Sequence, residues 1–424
     1  MIKRVTLVSL TTPVRVVTLC GAPTAPAAAN QTPTRTTIIA PRRRQRWTAR
    51  LVTALLLVAA GLLVSPPVSY AGGPKLTVMT RNLYLGTALD NVVAASNEEE
   101  FVQAVSQDWA HVVATDFPTR AKALAAEILR AKPDVVGLQE VSLWRDQTPS
   151  NIVTGTAGPN APDVKYDFLA FLQAELAAGG TAYTAVSTST NADVEAPRSN
   201  PDSLNGYTDV RLTDRDVILV RSELAGKFSG AESGHYTAQF SVPSAVGPPL
   251  TFTRGWASIN YRHDANRTVR IVVTHLEIEA GPAGAIQIAQ GDELLEEIAD
   301  DPNVVVLADI NSAADCSTTD TYKNLTEELV DAWWINRPNE CDSDGPRKVS
   351  RPGGGNLAGL SCCMNELLDN STSTATTRID VVLSKGALTA TSATATGNVP
   401  FRRSPAPLWA SDHFGVVAQL ELAK

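Results

Sequence analysis

Short apolar runs of strand length recur through residues 75–424, and most of them stop at a carboxylate, an amide or an imidazole. Val135-Val136-Gly137-Leu138 runs into Gln139-Glu140, and Val304-Val305-Val306-Leu307 runs into Asp309-Ile310-Asn311. Arg81-Asn82, Thr274-His275-Leu276, Arg378-Ile379-Asp380 and Ser411-Asp412-His413 follow the same habit, and Asp214-Arg215-Asp216 follows it more weakly. An apolar run bounded by polar residues reads as a buried strand. Such polar groups at several strand ends can converge on one mouth, the arrangement that metal-assisted hydrolysis of a phosphoester requires.

Between these segments the pattern changes period. Residues 119–131 put Ala121, Leu124, Ala125 and Ile128 on one helical face, and Pro133 closes that helix. Residues 166–178 and 283–300 read as two more amphipathic helices, and 90–115 as a partly helical insertion. Strands are expected at 75–82, 134–139, 216–220, 250–261, 268–274, 303–308, 379–383 and 414–422. Residues 187–205 read as loop, and 243–249 as a connection. The body from 72 to 424 shows no repeat or linker and is expected to be one domain. It contains a Gly-, Ser- and Thr-rich loop at 339–377.

The first 71 residues stand apart. They hold nine Lys or Arg and no Asp or Glu, and basic residues 42–50 precede an apolar run at 51–64 and the small-residue site Ser69-Tyr70-Ala71. This is the layout of a secretory signal peptide. The run of 14 residues falls short of the ~20 a membrane span needs. The mature form is therefore expected to be secreted, without a transmembrane anchor. Removing nine from the 36 basic residues leaves 27 against 44 acidic ones, a formal charge of −17. Such a chain gains nothing from non-specific attraction to nucleic acid, so no stable nucleic-acid complex is expected. Of the five cysteines, Cys20 falls in the leader. Cys316, Cys341, Cys362 and Cys363 suit an oxidising compartment. The adjacent pair is expected to avoid bonding to itself and to be bridged to Cys316 and Cys341.

Each polar group alone has an ordinary reading. A Glu such as Glu140 at a strand end is usually just solvated, and Asn82 suits a turn. Asp309 and Asn311 share a face, yet an Asx-turn would explain them equally well. Arg378 and Asp380 suit a structural ion pair. Taken together and in order, the motifs resemble the endonuclease/exonuclease/phosphatase superfamily over residues 76–422.

That resemblance implies an α/β fold, a four-layer sandwich of two packed mixed β-sheets flanked by helices. It implies Mg2+, with Mn2+ or Ca2+ as alternatives, held by Glu140 with Asn82 beside it and Asp412 assisting. Asp309 would orient or deprotonate the attacking water, and Asn311 would hold the phosphate. Asp380 would fix His413, whose imidazolium contacts a phosphate oxygen, and His275 would be the second imidazole. In the deoxyribonuclease branch an acid orients that second ring. Asp214 matches it best, with Asp216 close behind. The family's Gly before the Asp-Xaa-Asn motif is Ala308 here, a mild departure. The Thr-His-Leu element groups the chain with deoxyribonucleases, phosphatases and sphingomyelinases.

The expected activity is that of a monomeric, divalent-metal-dependent phosphoesterase, nuclease-like in the first instance. A phospholipase C or sphingomyelinase is the second reading, with residues 242–250 and Trp256 as an apolar hairpin facing a membrane. A small-molecule phosphatase and a non-catalytic binding module are the remaining ones.

Overall fold

The computed structural model describes residues 75–156, 158–246, 248–336, 341, 359–402 and 406–423. The leader expected over residues 1–71 lies outside the described residues, as does much of the cysteine loop. The first strands are β1 (Lys75–Asn82), β2 (Val135–Gln139), β3 (Leu143–Gln147), β4 (Asp163–Asp167), β5 (Tyr183–Ser199) and β6 (Tyr207–Arg221). Then come β7 (Phe228–His235), β8 (Phe240–Val242), β9 (Leu250–Phe252), β10 (Gly255–Arg262), β11 (Thr268–His275) and β12 (Val304–Asp309). The last are β13 (Val330–Asp331), β14 (Asp380–Lys385), β15 (Leu388–Thr396) and β16 (Gly415–Leu422). The helices are α1 (Asp90–Ala94), α2 (Glu98–Ala114), α3 (Phe117–Ala131), α4 (Phe168–Ala178), α5 (Pro282–Glu297) and α6 (Thr321–Glu328).

Two large sheets result. One runs β15-β16-β1-β2-β6-β3-β4, with β5 also on β6, and the other runs β13-β14-β12-β11-β10-β7. Both are mixed: β1 is parallel to β2 and antiparallel to β16, and β12 is parallel to β11 and antiparallel to β14. Strand alternation sorts their side chains. Val78, Val135 and Ile218 of the first sheet meet Ile271, Val305 and Leu307 of the second. The intervening Met79, Val136 and Leu219 turn outward to Leu124 and Ile128 of α3 and Leu172 of α4. Val272, Val304 and Val306 likewise meet Leu294 of α5 and Tyr322 and Leu325 of α6. The order is helix, sheet, sheet, helix. Gly137 lets the sheets close, since a Cβ there would stand 2.6 Å from Leu307 Cβ.

Helix α3 begins where Asp116 accepts the Thr119 N–H and ends at Lys132 in the left-handed region, before Pro133. Its buried Arg120 sends Nη1 to Leu83 O (2.7 Å) and Ala410 O (3.0 Å), and Nη2 to Tyr84 O (3.0 Å). Arg81 pairs with Glu127 and donates from Nη1 to His413 O at 2.6 Å. These two arginines tie the loop after β1 to the loop before β16.

Several expectations are corrected. Residues 187–199 are not loop but most of β5, paired along β6. Buried Ser187 and Ser189 alternate with exposed Thr188 and Thr190, a period of two written in hydroxyls rather than in hydrophobicity. The strand expected over 250–261 is broken between β9 and β10 at Thr253-Arg254. The disulfides pair Cys316 with Cys341 and Cys362 with Cys363. Cys316 and Cys341 lie at a bridging Cα separation of 5.5 Å, which leaves the adjacent pair to each other. The hairpin of β8 and β9 turns Leu250, Val242, Val246 and Phe252 toward Val92 of α1 and Phe101 of α2. Trp256 stacks beneath the Arg270 guanidinium.

Candidate active site

Register assembles the strand ends. His275 stands beside Asp309 across β11 and β12, and Asp309 stands beside Asp380 across β12 and β14. In the facing sheet Asn82 stands beside Gln139, one residue before Glu140. Gln139 itself bridges the sheets, donating from Nε2 to Thr80 Oγ1 at 3.1 Å and Leu307 O at 3.2 Å. The loop before β16 brings Asp412 and His413 to the same mouth, where Ser411 Oγ donates to Asn82 O and accepts the His413 N–H.

Asn82 connects the two rows. Its Nδ2 donates to Glu140 Oε1 and to Asp309 Oδ2, each at 2.9 Å, and its Oδ1 accepts the Tyr84 N–H at 2.8 Å. Expected as a metal ligand, Asn82 here has its oxygen engaged by backbone and acts as a clamp between two carboxylates. Glu140 Oε2 accepts the Leu85 N–H at 2.7 Å. Glu140 (φ 55°) and Asn311 (φ 50°) both sit in the left-handed region. That costs a non-glycine residue about 1–3 kcal/mol and persists where the surroundings impose it, often at functional sites.

The electrostatics are those of crowded carboxylates. Burial, then the charge of Asp412, pushes Glu140 up to about 7. Burial pushes Asp309 up to about 6, with His413 opposing and Asp380 adding to the rise. His413 Nδ1 is 2.8 Å from Asp380 Oδ2 and 3.5 Å from Asp309 Oδ2. Burial disfavours charge on this ring, but Asp380, Asp309 and Asp412 outweigh it and hold its pKa well above the ordinary value. His275 is treated oppositely. Burial, then Arg254, then His413 hold it well below the ordinary imidazole value.

Asp214 is not the partner of His275. Among the described residues no hydrogen bond joins them. Arg254 Nη1 instead lies 2.9 Å from His275 Nδ1 and 3.9 Å from Asp214 Oδ2. Asp214 is held by Asn191 Nδ2 at 3.5 Å. Asp216 lies behind it, buried, its pKa well raised by burial and by Asp214. Arg378 does not pair with Asp380 either; it turns to Asp331 and to Tyr322 Oη. Asn311 Nδ2 lies 3.0 Å from both His275 Nε2 and Leu276 O.

Arg254, with Glu277 behind it at 3.5 Å, is the group that the motif reading missed. An Arg-Gly pair interrupting an otherwise strand-like stretch was the available signal, because a break there frees the side chain from the sheet faces.

A model of the endonuclease/exonuclease/phosphatase family matches residues 112–413, well over half of the chain. The matched span runs from before Glu140 to His413 and leaves Asn82 outside. A sequence comparison with curated proteins finds no match. Among solved structures, an endonuclease/exonuclease/phosphatase family protein from Bacteroides thetaiotaomicron is similar at 14% identity. It covers 83% of this chain and 99% of its own, with a TM-score of 0.47. An endonuclease/exonuclease/phosphatase from Beutenbergia cavernae is 21% identical over 82% of this chain and 72% of its own, with a TM-score of 0.46. A mannosyl-6-phosphatase from Bacteroides thetaiotaomicron is 15% identical over 81% of this chain and 99% of its own, with a TM-score of 0.42. With the family model spanning the strand ends from Glu140 to His413, the chain belongs to the endonuclease/exonuclease/phosphatase family.

Proposed function

We propose that this chain is an exported, divalent-metal-dependent phosphoester hydrolase, with nucleic acid the first substrate class to test. The observation that carries the reading is the meeting of Glu140, Asp412, Asp309, Asn311, His275 and the Asp380–His413 pair at one mouth between the sheets. The donor set suits Mg2+, with Mn2+ or Ca2+ as alternatives. It is made of hard oxygens, Glu140 is pushed up to about 7 by burial and then by the charge of Asp412, and Asp380 Oδ1 is buried without a hydrogen-bond partner among the described residues. Glu140 and Asp412 would hold the ion, and Asn82 would fix the Glu140 carboxylate. When bound, Mg2+ neutralises charge that builds on the phosphoryl oxygens during attack.

The chain's own residues supply the rest. Asp309 is fixed at both oxygens, by the Asn82 amide and by the Asn311 N–H at 3.1 Å. A carboxylate raised to about 6 is a stronger base than a free one and is still mostly ionised at neutral pH. It takes the proton of the attacking water. His413, cationic against Asp380, faces a non-bridging oxygen as a charged donor. The β8–β9 hairpin packs Leu250, and in part Val242, Val246 and Phe252, against α1 and α2, which counts against the lipid reading. Export rests on the pattern of residues 42–71.

The test is hydrolysis of DNA, RNA, sphingomyelin and inositol phosphates, each with Mg2+ and with EDTA, by wild type and Glu140→Gln. We expect turnover of at least one substrate, abolished by chelation and reduced ~10²-fold or more in the variant. Turnover indifferent to EDTA would refute the metal, and no turnover of any phosphoester would refute the reading as a whole.

A further inference from the structure

Arg254 reaches His275 from the break between β9 and β10. Its Nη1 is 2.9 Å from His275 Nδ1, and a guanidinium has donors only. Nδ1 must then supply a lone pair, which requires it to carry no proton. Arg254 is not free to turn away. Its Nε and Nη2 each lie 3.5 Å from an oxygen of Glu277, and Asp214 is 3.9 Å from Nη1. Nor does it give up its charge. Burial works against the guanidinium, but Glu277 and Asp214 raise its pKa above the ordinary value.

The Asn311 amide nitrogen approaches His275 Nε2 at 3.0 Å, so donors flank both ring nitrogens. A neutral imidazole accepts at only one. The guanidinium cannot reverse its role, and it is anchored by Glu277. The ring proton therefore belongs on Nε2, beside the Asn311 N–H and 3.6 Å from Asp309 Oδ2. Two N–H groups side by side need one acceptor between them, and a phosphoryl oxygen is one.

We propose that Arg254 is a positioning residue that holds His275 as the neutral tautomer protonated on Nε2, so that this imidazole gives the phosphoester a hydrogen bond rather than a proton. The second half rests on the phosphoesterase reading; the tautomer does not. The charged groups facing the ring are Arg254 from the β9–β10 break, His413 from the loop before β16 and Asp309 from the end of β12. Glu277 and Asp214 act through Arg254. Burial disfavours protonation of the ring, and Arg254 and His413 disfavour it further.

The test is nitrogen NMR of 15N-histidine-labelled, metal-free protein, with the His275 signals assigned by their loss in His275→Gln. In wild type the ring stays neutral and protonated on Nε2 between about pH 5 and 8. In Arg254→Met the donor at Nδ1 is gone, so the ring is no longer confined to the Nε2 tautomer. Its pKa rises from the wild-type one, with burial and His413 still holding it down, and Arg254→Lys, which restores a cationic donor, moves both back toward wild type. On any substrate that is turned over, kcat of Arg254→Met should fall more steeply than that of wild type as pH drops from about 8 to 5. An imidazolium or an Nδ1-protonated ring in wild type at pH 7 would overturn the proposal, whether or not the variant folds. So would His275 signals unmoved in Arg254→Met. If no phosphoester is hydrolysed, the functional reading fails while the spectrum still decides the tautomer.

Discussion

His413 and His275 reach one mouth from the two sheets, and their neighbours carry opposite signs. His413 comes from the loop before β16 and faces Asp380 at 2.8 Å, Asp309 at 3.5 Å and Asp412 at 3.9 Å. His275 ends β11 and faces Arg254 at 2.9 Å on its Nδ1 side. Both rings are equally buried, so desolvation pulls both toward neutrality, and the charged partner decides which one yields. Carboxylates win at His413 and the guanidinium reinforces burial at His275. Two like groups driven apart in this way can divide one reaction, one as a fixed positive charge and the other as a neutral donor.

The largest expected effect tests the cationic side. Asp380→Asn removes the nearest of the three carboxylates that hold His413 protonated and offers Nδ1 an amide whose nitrogen can point the wrong way. It should lower kcat toward the ~10²–10⁴-fold loss of His413→Ala, because it weakens and misdirects the positive charge that the alanine removes from the transition state. The double variant should lose far less than the product of the single losses. Rates for the three variants on one substrate, with melts to confirm folding, check this. A near-wild-type Asp380→Asn would mean that His413 does not depend on Asp380, and the pairing on which the comparison between the rings rests would fall.

How this contrast was hidden in the sequence is instructive. The strand ends were legible because an apolar run such as Val304–Leu307 must be buried and its first polar successors must emerge at a rim. The two mixed sheets follow the same logic, with Val78 and Met79 facing opposite layers. What the sequence did not carry is lateral register, which sets His275 beside Asp309 and Asp309 beside Asp380. Nor did it carry the direction of the Asn82 amide, which only its neighbours fix. Strand β5 was missed because its buried positions from 187 to 191 are Ser187, Ser189 and Asn191, which carry no hydrophobic alternation. Arg254 was missed for a related reason. Its neighbours Thr251, Phe252, Trp256 and Ala257 read as one strand, and the two-residue break that releases the guanidinium has almost no hydropathic trace.

A middle-sized effect separates a charge from a donor. If His275 gives only a neutral hydrogen bond, an amide can stand in for it in part. Removing one such donor typically costs ~10²–10³ in kcat, so His275→Ala should lose about that much. His275→Gln should recover part of the loss through its own N–H. His413→Gln should recover little over His413→Ala, since no amide supplies a cation. Four kcat values on one substrate decide it, and equal recovery at both positions would erase the distinction.

The smallest effect is on stability and needs no substrate. In EDTA, the raised pKa of His413 gives stability that is fully present below the unfolded value of about 6.5 and is lost as pH rises through the folded one. The lowered pKa of His275 acts the other way. Below about 6.5 the unfolded chain takes a proton that the folded ring refuses, so folding weakens as pH falls toward the depressed value. Glu140 and Asp309, raised to about 7 and about 6, add a common slope that favours lower pH, so the useful quantity is variant minus wild type. A tenfold change in proton affinity is worth about 1.4 kcal/mol, or about 2–4 °C in Tm for a domain of a few hundred residues. His275→Gln should therefore gain on wild type as pH drops from 6.5 to 5, and His413→Gln should close the gap to wild type only as pH rises above 7. Melting curves from pH 5 to 9 give both slopes, and two differences of the same sign would show that the rings are not set against each other.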